Sequence, residues 1–563
     1  MNISSFLSVH RLRTLTVGAF LTGLSAAHAG TTLYWDANGS TSGVGGSGEW
    51  NTTGLFWNPS SGGTGTLQSW NNDGQDTAIL GGPGGNVTVE GVVTAGRLDI
   101  KPESAAGYLV TGGTLNLTMV TPTGAGSSVA ISSSGAVTVS SDLLISNPQS
   151  ANRFRFTTGS DGQLTLGNIA FESSSTNAVV ALQGAASSST ITVSGTVGSN
   201  PGTGTSSIQI GGDSAVSGAT YIFKGDNSAL EANTSGVIVQ GRAILEHGKA
   251  LGLGRINLGN GSTGASDVLE LLTGAAITVA NNIATGGSAT TATRIIGGDT
   301  ADESEFSGTL TLSVSGTYRV TAAAGGVVTF SNTITDEGGA NMITKVGDGI
   351  VRFTKQEGNT YGGGTVISAG TLLVENRSNS ATGSGFVTVE AGAALGGDGI
   401  IAGDVTIAGT LSPGTNQQPT GALSLNGNVT LGASASVLLA IAGTESSAFD
   451  AIRNDGDTLT MGGELVIEIN GSFQAGDQWT LFDGFANRLE HFDTVRLTGD
   501  YNGLLVREDG LWGQSLEGLQ WTFDESTGML SVAAIPEPRG MASLALTAVI
   551  AALLKKRRAL LPR

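Results

Sequence analysis

Residues 343–414 read ITKVGDGIVRFTKQEGNTYGGGTVISAGTLLVENRSNSATGSGFVTVEAGAALGGDGIIAGDVTIAGTLSPG. Short apolar and threonine runs alternate with glycine-rich punctuation. In Thr371-Leu372-Leu373-Val374, Leu372 and Val374 fall on one side at period two, with Thr371 and Leu373 on the other. Val387-Thr388-Val389, Val405-Thr406-Ile407 and Val429-Thr430-Leu431 repeat the alternation. β-Branched residues suit a pleated surface, and the flanking glycines permit tight corners. The phrases opening at Gly385, Gly403 and Gly427 are 18 and 24 residues apart, the scale of one coil in a stacked-repeat architecture. Related phrases open at Gly85, Gly135 and Gly326. The pattern predicts an all-β solenoid and specifies no chemistry.

The rest of the composition agrees. The chain has 563 residues, 89 of them glycine, with 13% charged and 5% aromatic. Glycine at this level without a three-residue period argues against collagen, and 39% hydrophobic residues argue against wholesale disorder. A thin rod fits, because each coil needs only a few small inward side chains. There is no cysteine, which excludes disulfides, zinc–thiolate and iron–sulfur sites. Residues 30–535 hold 18 basic and 44 acidic side chains, formally −26, a balance that speaks against nucleic acid as a partner.

Thr344-Lys345-Val346-Gly347-Asp348-Gly349, followed by Asn359-Thr360-Tyr361-Gly362-Gly363-Gly364-Thr365 and Gly370-Thr371-Leu372, resembles the autotransporter-associated β-strand repeat. Gly392 to Gly399 and Gly409 to Gly414 look like its usual continuation. Ile350-Val351-Arg352-Phe353 departs from the common Thr-Leu-x-Leu but keeps the alternation. The resemblance covers about 70 residues and implies a right-handed parallel β-helix without enzymatic activity.

The chain divides as follows. Residues 1–29 read as a signal peptide: basic His10-Arg11-Leu12-Arg13, apolar Leu15 to Ala26, and an Ala27-His28-Ala29 cleavage site. Residues 30–85 hold Trp35, Trp50, Trp57 and Trp70 and read as an N-terminal cap, since open terminal coils expose sheet edges; a sugar-stacking aromatic platform is the other reading. Residues 86–443 read as the solenoid, at roughly 20–24 residues per coil and about 4.8 Å per layer a rod on the order of 70–90 Å. Residues 444–534 form a more acidic β-rich region, either the last coils or a separate sandwich.

Residues 535–563 carry the clearest functional signal. Pro536-Glu537-Pro538 precedes the apolar run Met541 to Leu554 and then Lys555-Lys556-Arg557-Arg558. As a helix the apolar run spans about 21 Å, short of the roughly 30 Å hydrocarbon core, so a transient handle is expected, with the basic cluster stopping transfer on the cytoplasmic side. The order resembles the PEP-CTERM sorting signal of Gram-negative-type bacteria. It implies an exosortase-type transpeptidase acting near Pro536, Glu537 and Pro538. A plain single-span anchor is the other reading.

Chemistry is sparse. His247 and His491 are not in a ligand-pair spacing, and Gly212-Asp213-Ser214 lacks a nucleophile elbow. Asp299, Asp302, Glu303 and Glu305 cluster, with Arg294 the nearest base; a solvated loop, calcium or a polysaccharide-lyase site are the readings open. No metal and no cofactor is expected. The function expected is a non-enzymatic, exported surface or matrix protein, structural or adhesive, with extracellular polysaccharide as a partner. The rival is a carbohydrate-active β-helix enzyme. A self-secreting autotransporter passenger is set aside, because the chain ends in an apolar run and basic residues rather than barrel strands.

Overall fold

The computed structural model describes residues 30–535, apart from 40, 74–75, 119–127, 147–152, 173–177, 200–205, 212–217, 231–236, 262, 265, 287–290, 314, 338 and 416–419, together with Lys555, which is exposed. Ala27 and Ala29 of the expected signal site, Pro536, Glu537 and Pro538, the apolar run, and Lys556, Arg557 and Arg558 lie outside the described residues, as does Gly212-Asp213-Ser214. Among the described residues no helix is long and apolar enough to cross a membrane.

The alternation read in 343–414 becomes a set of inward and outward columns. Ile343 pairs with Thr365, Thr365 with Val387, Val387 with Val405, and Val405 with Val429, all parallel and in register. Each of these five side chains is buried, while Thr406 and Thr430 of the intervening column are exposed. A one-residue slip would turn every such column inside out, so the interior fixes the register. The product is a parallel β-solenoid.

Its faces change along the chain. A 14-stranded sheet begins at the N-terminal end with Thr32–Trp35 and its neighbours and ends at Ile334–Thr335. A second sheet runs the length of the rod, from Gly48–Trp50 to Asn487–Glu490. A third, 11-stranded sheet opens only at Thr278–Val279 and continues to Gly503–Leu504. The phrase at Gly326 falls on this third sheet, as Val327–Phe330, whereas those at 385, 403 and 427 build the second. Similar phrases therefore serve different faces.

Both ends are turned back. At the start, Thr32–Trp35 pairs antiparallel with Leu55–Asn58, and Trp35, Trp50, Trp57 and Trp70 are at most 2% exposed. Their rings pack with centroids 4.5 to 5.3 Å apart. A stacking platform needs an open ring face, and these rings offer none. At the other end parallel pairing continues to Thr494–Gly499. Then Gly503–Leu504 returns antiparallel, and a five-stranded antiparallel sheet closes around Trp479 and Trp521, stacked at 6.0 Å.

Candidate functional site

A groove lies where the third sheet opens. On its outer face Thr278 is level with Glu305, Glu305 with Thr329, and Thr329 with Arg352. Four strand layers at about 4.8 Å make this column about 14 Å long. It floors a cleft of about 480 Å³ that Ala276 and Ile277 also line. The strand Glu303–Phe306 turns Ser304 and Phe306 inward and Glu303 and Glu305 outward. Period two thus places both carboxylates on one side, about 7 Å apart along the strand.

The far end of the column is a fixed ion pair. Arg352 Nε donates to Glu375 Oε1 at 2.8 Å, and its Nη2 to Glu375 Oε2 at 2.7 Å. This bidentate fork holds the guanidinium above its ordinary value despite the opposing effect of burial. Nη1 is left leaning toward Glu303 Oε1 at 3.7 Å. Glu305 accepts from the Ser331 hydroxyl and, at 3.4 Å, from Thr278 Oγ1. Among the described residues Glu305 has no basic partner. Three carboxylates against one guanidinium leave the groove formally −2.

The acidic cluster read from sequence is divided by the fold. Only Glu303 and Glu305 enter the groove. Asp299 accepts from Arg242 Nη2 at 2.6 Å, beside the Arg242–Glu270 contact at 2.7 Å. Asp302 accepts from its neighbour Thr300 at 2.8 Å. Arg294, the base nearest in sequence, points the other way. It alternates inward with Ile296 on Thr293–Gly298 and is fully buried. It donates to the carbonyls of Gly286 and Ala292 at 2.7 and 3.2 Å and lies 5.7 Å from the Tyr318 ring centroid; burial pushes its guanidinium down. It is a core cation, shut off from any substrate at the surface. Proximity in sequence misled here because Arg294 takes an inward position on a strand of the second sheet, whereas Glu303 and Glu305 take outward positions on a strand of the third. The groove's cation comes from two coils later, and its anchor Glu375 lies one coil beyond that, a spacing of 23 residues. The repeat period itself was the available signal. His247 is partly buried, with its Nδ1 accepting from Lys249 N at 3.2 Å, and His491 is exposed; no group of three potential metal ligands occurs among the described residues.

The motif residues are structural. On Ile343–Val346, Lys345 points inward with Ile343. Its Nζ donates to the carbonyls of Gly347 at 2.6 Å, Ala369 at 2.8 Å and Val346 at 3.2 Å. One ammonium thereby ties two successive coils at a corner. Burial pushes it down to about 8, against a smaller opposing pull from Asp348. The glycines around it are required: Gly347 and Gly370 have φ of 76° and 60°, and a Cβ on Gly370 would lie 2.6 Å from Nζ. Asn359 is a second tie. It accepts from Ile334 N at 2.7 Å and donates to Ala381 O at 2.6 Å, covering the last strand of the first sheet. Tyr361 is buried with its hydroxyl 2.6 Å from Thr365 Oγ1, and burial raises its phenol well above the usual value.

Against known proteins, no family model matches the chain. A stretch of 136 residues, 24% of the chain, is 39% identical to a protein of Brucella suis biovar 1 (strain 1330) described as Adhesin BmaC autotransporter. That stretch is 4% of the relative's own length. The chain is thus similar, over a quarter of its length, to part of an autotransporter adhesin.

Proposed function

We propose that this chain is a non-enzymatic adhesive rod displayed at the surface, or in the matrix, of a Gram-negative-type bacterium. The observation that carries the reading is the solenoid itself. Its parallel pairing runs from Thr32 to Gly499 with both ends turned back, giving a stiff scaffold that presents long outward columns. The similarity to an autotransporter adhesin supports the same role. Export begins with cleavage after Ala29. The tail then serves as a sorting handle: Pro536, Glu537 and Pro538 are read by an exosortase-type transpeptidase while Met541 to Leu554 sits in the inner membrane and Lys555 to Arg558 stays in the cytoplasm. No cofactor is part of this reading.

The rival enzyme reading has less support. Glu303 and Glu305 stand side by side on one strand, not across a cleft as the two carboxylates that flank a glycosidic bond do. Arg352 is held as a cation by Glu375 and is no proton acceptor.

Two measurements test the proposal. Cells lacking the chain adhere less than wild type to surfaces and to one another, with recovery on re-expression; unchanged adhesion refutes the adhesive role. The intact mass of the exported form lacks Lys555 to Arg558; a mass that retains them refutes tail processing.

A further inference from the structure

We propose that the groove at the opening of the third sheet is a binding site for a polysaccharide strand that carries free amino groups, a de-N-acetylated hexosamine chain. The inference rests on the adhesive reading and names the ligand class of one surface of the rod.

Three observations carry it. The first is shape. The cleft of about 480 Å³ follows the column Thr278–Glu305–Thr329–Arg352 along the stacked strands. It suits a linear chain lying along the rod. The second is the hydrogen-bonding inventory. Thr278, Thr329, Ser331 and Thr354 line the cleft with hydroxyls that both donate and accept. Arg352 Nη1 makes no hydrogen bond among the described residues and is only 3.7 Å from a carboxylate. Vicinal diols need such a mixture of donors and acceptors. The third is charge. The Glu375 fork engages Arg352, so the carboxylates in excess are Glu303, with its side chain 68% exposed, and Glu305. Both can receive ammonium groups. An acidic polysaccharide would meet net negative charge here and across a body of formal charge −26, and is disfavoured.

Calorimetric titration of the exported chain with β-1,4-linked glucosamine hexamer tests this, with the glucose hexamer and the galacturonate hexamer as parallel arms. The glucosamine hexamer is expected to bind, and to bind at least about tenfold more tightly than the glucose hexamer. Binding should weaken from 50 mM to 500 mM salt, because screening shortens the reach of Glu303 and Glu305. The double variant Glu303→Gln/Glu305→Gln should lower affinity for the glucosamine hexamer about tenfold and leave any glucose-hexamer binding unchanged. Glu303 is exposed and Glu305 half-buried on the outward side of the strand, and Gln keeps the shape and an acceptor oxygen at each, so this variant keeps the fold, which circular dichroism checks. No binding of the glucosamine hexamer, equal binding of the neutral one, tighter binding of galacturonate, or a double variant that binds like the parent each overturns the proposal. Adhesion by cells displaying each form is scored separately. Glucosamine-hexamer binding without any contribution of the chain to adhesion sinks the adhesive reading and leaves the groove assignment standing. Loss of hexamer binding with full adhesion retained places adhesion on another surface.

Discussion

Replacing Lys345 by Met tests the corner clasp, because Met keeps much of the volume and removes the charge and all three donors. Two terms oppose each other at pH 7. Three carbonyls lose a donor, and an unmet buried acceptor costs about 1–3 kcal/mol. Against this, the variant no longer buries an ammonium. The fall from 10.5 to about 8 corresponds to roughly 3 kcal/mol of folded-state penalty. The net expectation is a loss of roughly 2–4 kcal/mol in the coils around residue 345. The pH dependence is more telling. The folded pKa lies below the unfolded one, so between about pH 8 and 10.5 the unfolded chain binds the extra proton. Parent stability from this group therefore rises with pH across that window, by up to about 3 kcal/mol, and is least below pH 8. The variant lacks this gain, so the gap between parent and variant widens from pH 7 to pH 10. Solenoids open locally, so the assay is amide hydrogen exchange of peptides covering 343–374, comparing parent and variant at equal pH so that intrinsic exchange cancels. A gap that narrows toward pH 10 refutes the reasoning, because it would mean that the charged form is what stabilises the fold.

Other expectations follow from the same geometry. Asn359→Ala removes one acceptor and one donor between coils and should cost about 2–3 kcal/mol, read as faster exchange at Ile334, whose N–H loses its acceptor. Gly383→Ala places a Cβ 1.9 Å from Tyr361 O at a φ of 67°; it should open the adjoining coils by more than about 2 kcal/mol, seen as protease sensitivity near residue 383. Asp450 is buried, accepts from Gly421 N and Ala440 N, and is raised by burial to about 7 despite those two bonds. The stability it contributes is present below about pH 4 and lost as pH rises toward 7, so Asp450→Asn should flatten the urea-midpoint profile between pH 4.5 and 7.5. Trp57→Ala, in the buried N-terminal cluster, should cost about 3–5 kcal/mol and fray the first coils in an exchange experiment.

Much of the fold is legible in one dimension, because a solenoid writes each coil locally. The inward columns at Val387, Val405 and Val429 follow from period two alone. The tie made by Lys345 is not legible in the same way. A lysine at an alternating position counts as polar and outward, and only the corner carbonyls of the next coil make its inward position tolerable. Leu373 is a milder case: period two turns it outward, yet it is only 7% exposed, level with Arg352 and Gly396 on the neighbouring strands.

The class is written in residue order: all-β, stacked coils and glycine corners. Residue order along each strand dictates those features, and the interior selects the register. Where the faces begin and end, and with them the groove, depends on how the coils stack in three dimensions. Glu303, Arg352 and Glu375 are separated by two coils and by one, and they meet because their strands stack in parallel in the third sheet. The stretch 343–414 thus shows how one coil sits on the next, and the stacking of the third sheet brings the charged side chains of successive coils together.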